Sequence, residues 1–255
     1  MSSISNVKPK RTIRLWSVAI WILAWHGLSM YISHDILLVS PVSVAARLAQ
    51  LVQDASFWKA ILFSFRSIVT GFSLAMAAGI LFAALAARFR LIDEFFAPAI
   101  LMIKATPVAS IIILVLLWVS SRNLSILISF LMVLPIIYTN VLNGIRSVDV
   151  KLLEMAKIFQ IPKHRQIIYI YTSQVLPFFQ SACSIALGLC WKSGIAAEVI
   201  GIPNGSIGEN LYKSKVFLAT ADLFAWTLTI IIISVLFELL FMWLLRILIS
   251  KLERS

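Results

Sequence analysis

The sequence predicts an all-α fold, a polytopic membrane protein built as a bundle of six transmembrane helices. Of its 255 residues, 61% are hydrophobic and only 13% are charged, and the mean hydropathy is +0.97. A soluble domain is about a quarter charged, so this chain has more apolar surface than one aqueous core could bury. The apolar residues also form blocks of about 20, the length of helix that crosses about 30 Å of hydrocarbon. These observations exclude a soluble enzyme.

The first predicted span covers residues 15–32 and follows a basic N-terminal tail, residues 1–14. We interpret this block as a retained helix, because it is long for a signal peptide and no small-residue cleavage site follows it. Ser40 and Pro41 then precede an apolar stripe with helical spacing. This pattern predicts a short amphipathic helix that lies at the membrane interface.

Five further apolar runs predict the other spans. They cover residues 68–87, a helix that begins before Pro107 and ends near Ser120, and residues 124–142, 178–200 and 223–249. Pro135 is expected to interrupt the fourth span, and Gly201 to Gly208 to form an external turn before the sixth. The transmembrane domain thus extends over residues 15–249, and residues 250–255 form a short tail.

The basic residues indicate the orientation. With the N-terminus in the cytoplasm, roughly three times as many Lys and Arg residues fall inside as outside, which is the bias of the positive-inside rule. Both termini are therefore predicted to be cytoplasmic. The net charge of +11 is explained by this topology, and no nucleic-acid partner is predicted.

The longest hydrophilic segment, residues 146–177, falls on the cytoplasmic side between the fourth and fifth spans. Pro162 disfavours helix at Ile161, so the segment is predicted to form a helix, a turn and a second helix that enters the bilayer. One face of its first helix carries four apolar residues: Leu152, Met155, Ala156 and Phe159. Such a stripe needs a covering surface, either its own bundle or the groove of a partner.

The segment resembles the cytoplasmic signature of permease subunits of ATP-binding-cassette importers, specifically the nitrate, sulfonate and taurine type. That signature is Glu-Ala-Ala, three residues, glycine, and a stretch that ends near Leu-Pro. Here residues 154–156 read Glu-Met-Ala, Gln160 stands at the glycine, and residues 176–177 are Leu-Pro. The resemblance covers about residues 40–248. Because Gln160 replaces the glycine, the turn is expected to differ from the usual one.

The resemblance implies a fold like that of type I importer permeases in the bacterial inner membrane. It implies a pathway for a small solute, such as nitrate, a sulfonate, taurine or a vitamin precursor. It also implies three partners: a separate ATPase subunit, an extracytoplasmic solute-binding protein and a second copy of the chain. Residues 146–177 would dock on the ATPase, and the candidate docking residues are Glu154, Met155, Ala156, Phe159, Gln160 and Ile161. An amphipathic loop packed on its own bundle remains the alternative.

An ATPase-independent secondary transporter or channel is the alternative function. The sequence contains no phosphate loop of the form G-x-x-x-x-G-K-[ST]. It also has no metal-ligand spacing and no catalytic constellation. We therefore assign the chain no catalytic residue, cofactor or metal, and place ATP hydrolysis in the partner subunit.

Polar residues within the predicted spans are candidates for the substrate pathway, because such residues are costly in the bilayer. Lys192, near the middle of the fifth span, either pairs with an acid, binds an anionic substrate, or is satisfied by backbone carbonyls. Glu198 lies about 240° further around the same helix, so the two do not pair easily within it; the alternative places Glu198 at the outer membrane surface. We also assign Trp191, Ser193 and Asn140 to the pathway.

Two further charged residues are given structural roles. Arg66, at the outer start of the second span, is predicted to extend its charge to the interface while its stem stays in apolar surroundings. Glu238, in the middle of the sixth span, has no cation within reach on its own helix, so an interhelical hydrogen bond is predicted.

Overall fold

The computed structural model describes residues 15–32, 34 and 37–254, and within them every regular element is a helix. The predicted all-α fold is confirmed. The predicted N-terminal tail, residues 1–14, lies outside the described residues, and so does residue 255 of the C-terminal tail.

The first two helices match the prediction. Helix α1 is Leu15–Ile32, and helix α2 is Pro41–Leu51. Ser40 caps α2, since its side chain accepts a hydrogen bond from the backbone N–H of Ser43, and proline suits the first helical position. In α2, the guanidinium of Arg47 donates to both carboxylate oxygens of Asp222. This ion pair joins α2 to the last helix of the chain.

Helix α3, Ala55–Arg88, is longer than the predicted second span. Asp54 caps it by accepting a hydrogen bond of 2.9 Å from the N–H of Ser56. A helix of 34 residues is about 51 Å long, whereas the hydrocarbon core is about 30 Å thick. Residues 55–67 therefore continue the helix beyond the predicted membrane boundary.

The predicted third span is wrong as a single helix. Helices α4, Arg90–Ala105, and α5, Val108–Leu116, meet at an angle of 105°. The break occurs at Thr106, which is extended because the following Pro107 disfavours helix at the residue before it. Asp93 near the start of α4 accepts a hydrogen bond of 2.6 Å from Arg146, so α4 lies beside the C-terminal end of the next long helix.

Helix α6, Ser121–Arg146, continues through Pro135. The predicted interruption is therefore wrong. A proline within a helix removes one backbone N–H, and in transmembrane helices neighbouring helices and Ser or Thr side chains compensate for the loss. The carbonyl that loses this donor is that of Leu131, whereas Thr139 Oγ1 donates to the carbonyl of Pro135 itself at 2.7 Å.

The rest of the chain follows the predicted order of helix, turn, helix and final span. The elements are α7, Val150–Ile158; α8, Lys163–Gln166; a π-helical turn, Ile167–Tyr171; α9, Thr172–Gly201; α10, Ile207–Val216; and α11, Thr220–Arg254. The sequence did not predict α10.

Four of the described helical segments are long and apolar enough to span a membrane: 55–88, 121–146, 163–201 and 220–250. The bent pair of α4 and α5 counts as a fifth if it forms one broken span, and α1 is a shorter apolar helix. A multi-pass membrane fold is thus confirmed, while the number of six spans stays a prediction.

The centre of the bundle is formed by α3, α6 and α9, whose buried side chains make one continuous apolar core. Small residues allow these helices to approach closely. A Cβ atom added at Gly194 of α9 would lie 2.7 Å from Ile68 and 2.8 Å from the Ser129 hydroxyl. Glycine at this position therefore holds α9 against both neighbouring helices.

Candidate functional site

The segment of residues 146–177, which the sequence predicts to be cytoplasmic, is anchored where α7 begins. Asp149 caps the helix by accepting a hydrogen bond of 2.9 Å from the N–H of Lys151. The N–H of Asp149 itself donates to Gln174 Oε1 of α9 at 3.0 Å, and the preceding Val148 is buried. The residue that caps α7 is thereby tied to the helix that enters the core.

The end of α7 is a Schellman turn, a C-cap in which two backbone bonds close the last helical turn. The N–H of Ile161 donates to the Ala156 carbonyl at 2.8 Å, and the N–H of Gln160 donates to the Lys157 carbonyl at 3.1 Å. Gln160 has a φ of 52°, the left-handed conformation that usually belongs to glycine at this position. The expectation of an unusual turn is therefore wrong: the path is that of a glycine turn, made with glutamine.

Replacing Gln160 by glycine is expected to stabilise the chain by about 1 kcal/mol, because a side chain strains the left-handed conformation. Thermal unfolding of the purified protein in detergent measures the change. Gln180, within the regular part of α9, is the matched control, since the same substitution there is expected to destabilise by about 1 kcal/mol. Equal shifts for both variants would contradict this account of the turn.

The turn leaves large apolar side chains exposed at one end of α7. Met155, Ile158 and Phe159 are 52%, 77% and 72% exposed, and we call these three residues the α7 tip. Glu154 and Gln160 are also exposed, and Ile161 is half-buried. Ala156 is only 1% exposed. Its side chain lies inside the fold, so its predicted place on a docking surface does not fit the structure.

Ile158 is a member of the α7 tip that the sequence did not predict. The helical stripe used for the prediction passes through Ala156, and Ile158 is not on that stripe. The available signal was the pair of adjacent large apolar residues, Ile158 and Phe159, directly before the Ile161-Pro162 break. Beside the tip, residues from Phe159 to Ile170 line a cleft of about 540 Å³.

The predicted pathway residues on α9 do not share one face. Lys192 is exposed, and it makes no salt bridge with any of the described residues. Trp191 and Ser193 are buried, and Ser193 Oγ donates to the Leu189 carbonyl at 2.9 Å. Asn140, on α6, is half-buried and donates to its own helix at the Ile136 carbonyl. The role of these residues in a pathway stays a prediction.

Glu198 is fully buried and joins three helices. Its Oε2 atom accepts a hydrogen bond of 2.6 Å from Ser64 Oγ of α3 and one of 3.2 Å from the N–H of Gly208 in α10. Ser64 Oγ in turn accepts from the N–H of Ile207 at 3.0 Å. We call Glu198, Ser64 and the N–H groups of Ile207 and Gly208 the Glu198 junction. Glu198 lies three residues before the end of α9, and its level relative to the membrane surface stays a prediction.

Gly208 is required at this junction. A Cβ atom added there would lie 2.3 Å from the Cβ of Glu198 and 2.5 Å from its carbonyl carbon. The sequence could not show the junction, because Ser64 and Glu198 are 134 positions apart. The available signal was local: a glycine follows the glutamate by ten residues, on the far side of a Pro-Asn-Gly turn.

Residues 201–208, predicted to be a turn, reverse the chain and begin α10. Ile202 adopts a left-handed φ of 49°, and Ser206 caps α10 by accepting from the N–H of Glu209 at 2.9 Å. Burial opposes the ionisation of Glu209. Hydrogen bonds from Lys213 and the Gly205 N–H outweigh this effect and hold the pKa of the carboxyl below its usual value.

The predicted interhelical hydrogen bond of Glu238 is confirmed, since Ser184 Oγ of α9 donates to Glu238 Oε1 at 3.1 Å. Within the described part of the chain, no three His, Cys, Asp or Glu side chains come together as metal ligands. The two buried cysteines, Cys183 and Cys190, are unpaired thiols.

These features define a multi-pass helical membrane protein whose loop between two core helices carries an exposed apolar tip. The chain belongs to the family described as binding-protein-dependent transport system inner membrane component, whose model matches residues 75–254. It is therefore an importer permease of the ATP-binding-cassette class, a transport component of the inner membrane rather than an enzyme. The family implies an ATPase and a binding protein as partners.

Several relatives carry names that state a solute. An aliphatic sulfonates transport permease protein of Bacillus subtilis is 26% identical over 74% of this chain and 68% of its own length. A riboflavin transport system permease protein of Chloroflexus aurantiacus is 26% identical over 81% of this chain and 80% of its own. A bicarbonate transport system permease protein of Synechococcus elongatus is 24% identical over 56% of this chain and 52% of its own length.

Proposed function

We propose that two copies of this chain form the translocation pathway for a small anion of the sulfonate or bicarbonate kind. The names of two relatives support an anion. In this proposal both termini are cytoplasmic, and a binding protein delivers the solute from outside. The α7 tip docks on a separate ATPase subunit.

The exposed α7 tip is the observation that carries the proposal. Burial of apolar surface contributes about 25 cal/mol per Å², yet three large apolar side chains remain exposed at the end of one short helix. The bundle does not cover them, which disfavours the alternative of a loop packed on its own core. A groove on a partner protein is the typical way to bury such a tip.

The connections of α7 indicate how ATPase closure would move the pathway. Asp149 joins the start of α7 to α9 through Gln174, and only Ser147 and residues 148–149 separate α7 from α6. A pull on the tip therefore acts on two of the three core helices. In a dimer, the approach of two ATPase subunits would bring two such loops together and switch the bundles between inward-facing and outward-facing states.

Replacing Phe159 by aspartate tests the docking surface. We expect the variant to lose at least about tenfold in affinity for the cognate ATPase subunit, because a charge replaces a buried apolar contact. Co-purification of the two subunits from membranes measures it. Phe217→Asp is the matched control: Phe217 is 76% exposed, close to the 72% of Phe159, and lies after α10. Undiminished co-purification of Phe159→Asp would refute the proposed docking.

The alternative of an ATPase-independent carrier has its own test. Proteoliposomes that contain only this chain are expected to take up no methanesulfonate or bicarbonate under an imposed proton or sodium gradient. Addition of the ATPase, the binding protein and internal ATP is expected to start uptake of the cognate anion. Gradient-driven uptake by the chain alone would favour the carrier.

A further inference from the structure

A cleft of about 390 Å³ lies between the N-terminal parts of α3 and α6. Both parts face outward in the proposed topology. Three cations line the cleft: Lys59 and Arg66 from α3 and Arg122 from α6. Ser67 and Asn123 add polar groups to the same walls. The polar and charged lining of this cleft is unlike the apolar surface of the neighbouring helices.

None of the three cations forms a salt bridge with a described residue, and Lys59 alone has an acid, Asp54, near enough for their charges to attract. The salt bridges between described residues use other cations, namely Arg47, Arg90, Arg146 and Lys213. The acid nearest in sequence is Asp54, which caps α3 and lies outside the cleft lining. Glu198 approaches α3 at Ser64, which does not line the cleft and is used in the Glu198 junction. Arg66 and Arg122 therefore give the cleft a positive charge that no salt bridge between described residues neutralises.

Two features of the fold bring these charges together: the spacing of residues on α3 and the position of the first turn of α6. Lys59 and Arg66 are seven positions apart on one continuous helix, so they project from the same face. Arg122 lies in the first turn of α6, where backbone N–H groups without helical partners add positive potential. The side chain of Ser120, the residue before this turn, makes no capping hydrogen bond. Helix end and side chains thus favour the same kind of ligand.

We infer that this cleft binds an oxyanion, a sulfonate, carboxylate or phosphate group, through Arg66 and Arg122 with Lys59 at its rim. Two guanidinium groups suit such a ligand, because each can donate two parallel hydrogen bonds to a pair of oxygens. The inference deepens the proposed function and rests on it only for the outward orientation of the cleft. There the site would hold a solute anion at the mouth of the pathway, or the phosphate of a lipid headgroup.

Under this inference, Arg66 has a different role from the one predicted. The sequence predicted that it only extends its charge to the membrane interface. The helix continues for eleven residues before Arg66, from Ala55, and the sequence predicts the membrane boundary after Arg66, at residue 68. An arginine at that level does not need to extend away from hydrocarbon, and its guanidinium is available to a ligand.

The test uses the full chain in nanodiscs and two probes. Radiolabelled inorganic sulfate is titrated in nanodiscs of phosphatidylcholine, and retention of phosphatidylglycerol is measured by native mass spectrometry in mixed nanodiscs. The cleft variant is Arg66→Gln combined with Arg122→Gln. Lys213→Gln combined with Lys215→Gln is the matched control, since it removes two cations on the same side.

Loss of both arginines is expected to weaken binding of at least one probe by about tenfold or more. The control variant is expected to weaken binding of either probe by less than about twofold. Loss of sulfate binding identifies a solute oxyanion, whereas loss of phosphatidylglycerol alone identifies a lipid headgroup. Unchanged binding of both probes, or equal effects of the cleft and control variants, would overturn the inference. If the double variant fails to fold, Lys59→Gln, at an exposed residue, provides the same comparison. Since no ATPase is present, failure of the proposed docking would leave this result unchanged.

Discussion

Replacing Gly71 by alanine is expected to destabilise the bundle by about 3 kcal/mol, because the added methyl group has no space. Its Cβ atom would lie 2.4 Å from the carbonyl oxygen of Ile126 and 2.8 Å from the Cβ of Ser129. The first contact is with backbone in the second turn of α6, so no rotation of a side chain relieves it. Helices α3 and α6 would have to move apart, and the core that they share with α9 would open.

Thermal unfolding in detergent and the monodisperse fraction after extraction measure this effect. Gly188→Ala is the matched control, because nothing lies within 4 Å of the Cβ position at Gly188 in α9. Alanine is favoured over glycine in a helix by about 1 kcal/mol, so the control is expected to be as stable as the parent or more stable. A Gly71→Ala protein that unfolds at the same temperature as the control would contradict the close approach of α3 and α6.

The sequence predicts a structural feature well when interactions local to that part of the chain determine it. Hydropathy locates the apolar runs well, because any segment that crosses the bilayer must satisfy the same solvent requirement. It does not locate helix ends, as α3 shows by extending thirteen residues before the predicted start at residue 68. In residues 55–67 Ser, Lys and Arg alternate with apolar residues, so the hydropathy of the run falls although the helix continues.

The two prolines show why a local rule is insufficient. Pro107 was expected to lie within a helix and instead separates α4 from α5, whereas Pro135 was expected to interrupt a helix and does not. Pro135 is buried at the centre of α6, between packed neighbours that fix the backbone. Pro107 follows an extended Thr106 at the edge of the bundle. Tertiary packing, which the sequence does not state, decides between the two outcomes.

The candidate sites also differ in whether neighbouring or distant residues form them. The helix, turn and second helix of residues 146–177 were predicted, because the turn and the apolar residues are adjacent in the chain. Within this segment, the stripe wrongly placed Ala156 outward and missed Ile158, since the short helix ends before a full face can form. The Glu198 junction and the cleft at Arg66 both depend on contacts between distant helices. No spacing rule within one helix connects Ser64 with Glu198, or Arg66 with Arg122.

Replacing Glu198 by alanine is expected to cost about 3 kcal/mol, because it removes the acceptor for two buried donors. Ser64 Oγ and the N–H of Gly208 both donate to Glu198 Oε2. Glu198→Gln keeps an acceptor oxygen of the same reach, so its expected cost is smaller, about 1 kcal/mol. In Glu198→Ala, loss of these hydrogen bonds should release α10 from α9 and α3 before the bundle unfolds, because the Glu198 junction holds α10 there.

Limited trypsin digestion together with thermal unfolding distinguishes this structural role from the predicted pathway role. Release of α10 is expected to speed cleavage at Lys213 and Lys215 in Glu198→Ala, with a smaller effect in Glu198→Gln. Ser64→Ala combined with Glu198→Ala should cost less than the sum of the two single variants, because both remove the same interaction. A Glu198→Ala protein with parental unfolding and digestion but no uptake would instead place the carboxylate on the solute pathway. The burial of Glu198 and its two intrachain donors lead us to expect the structural result.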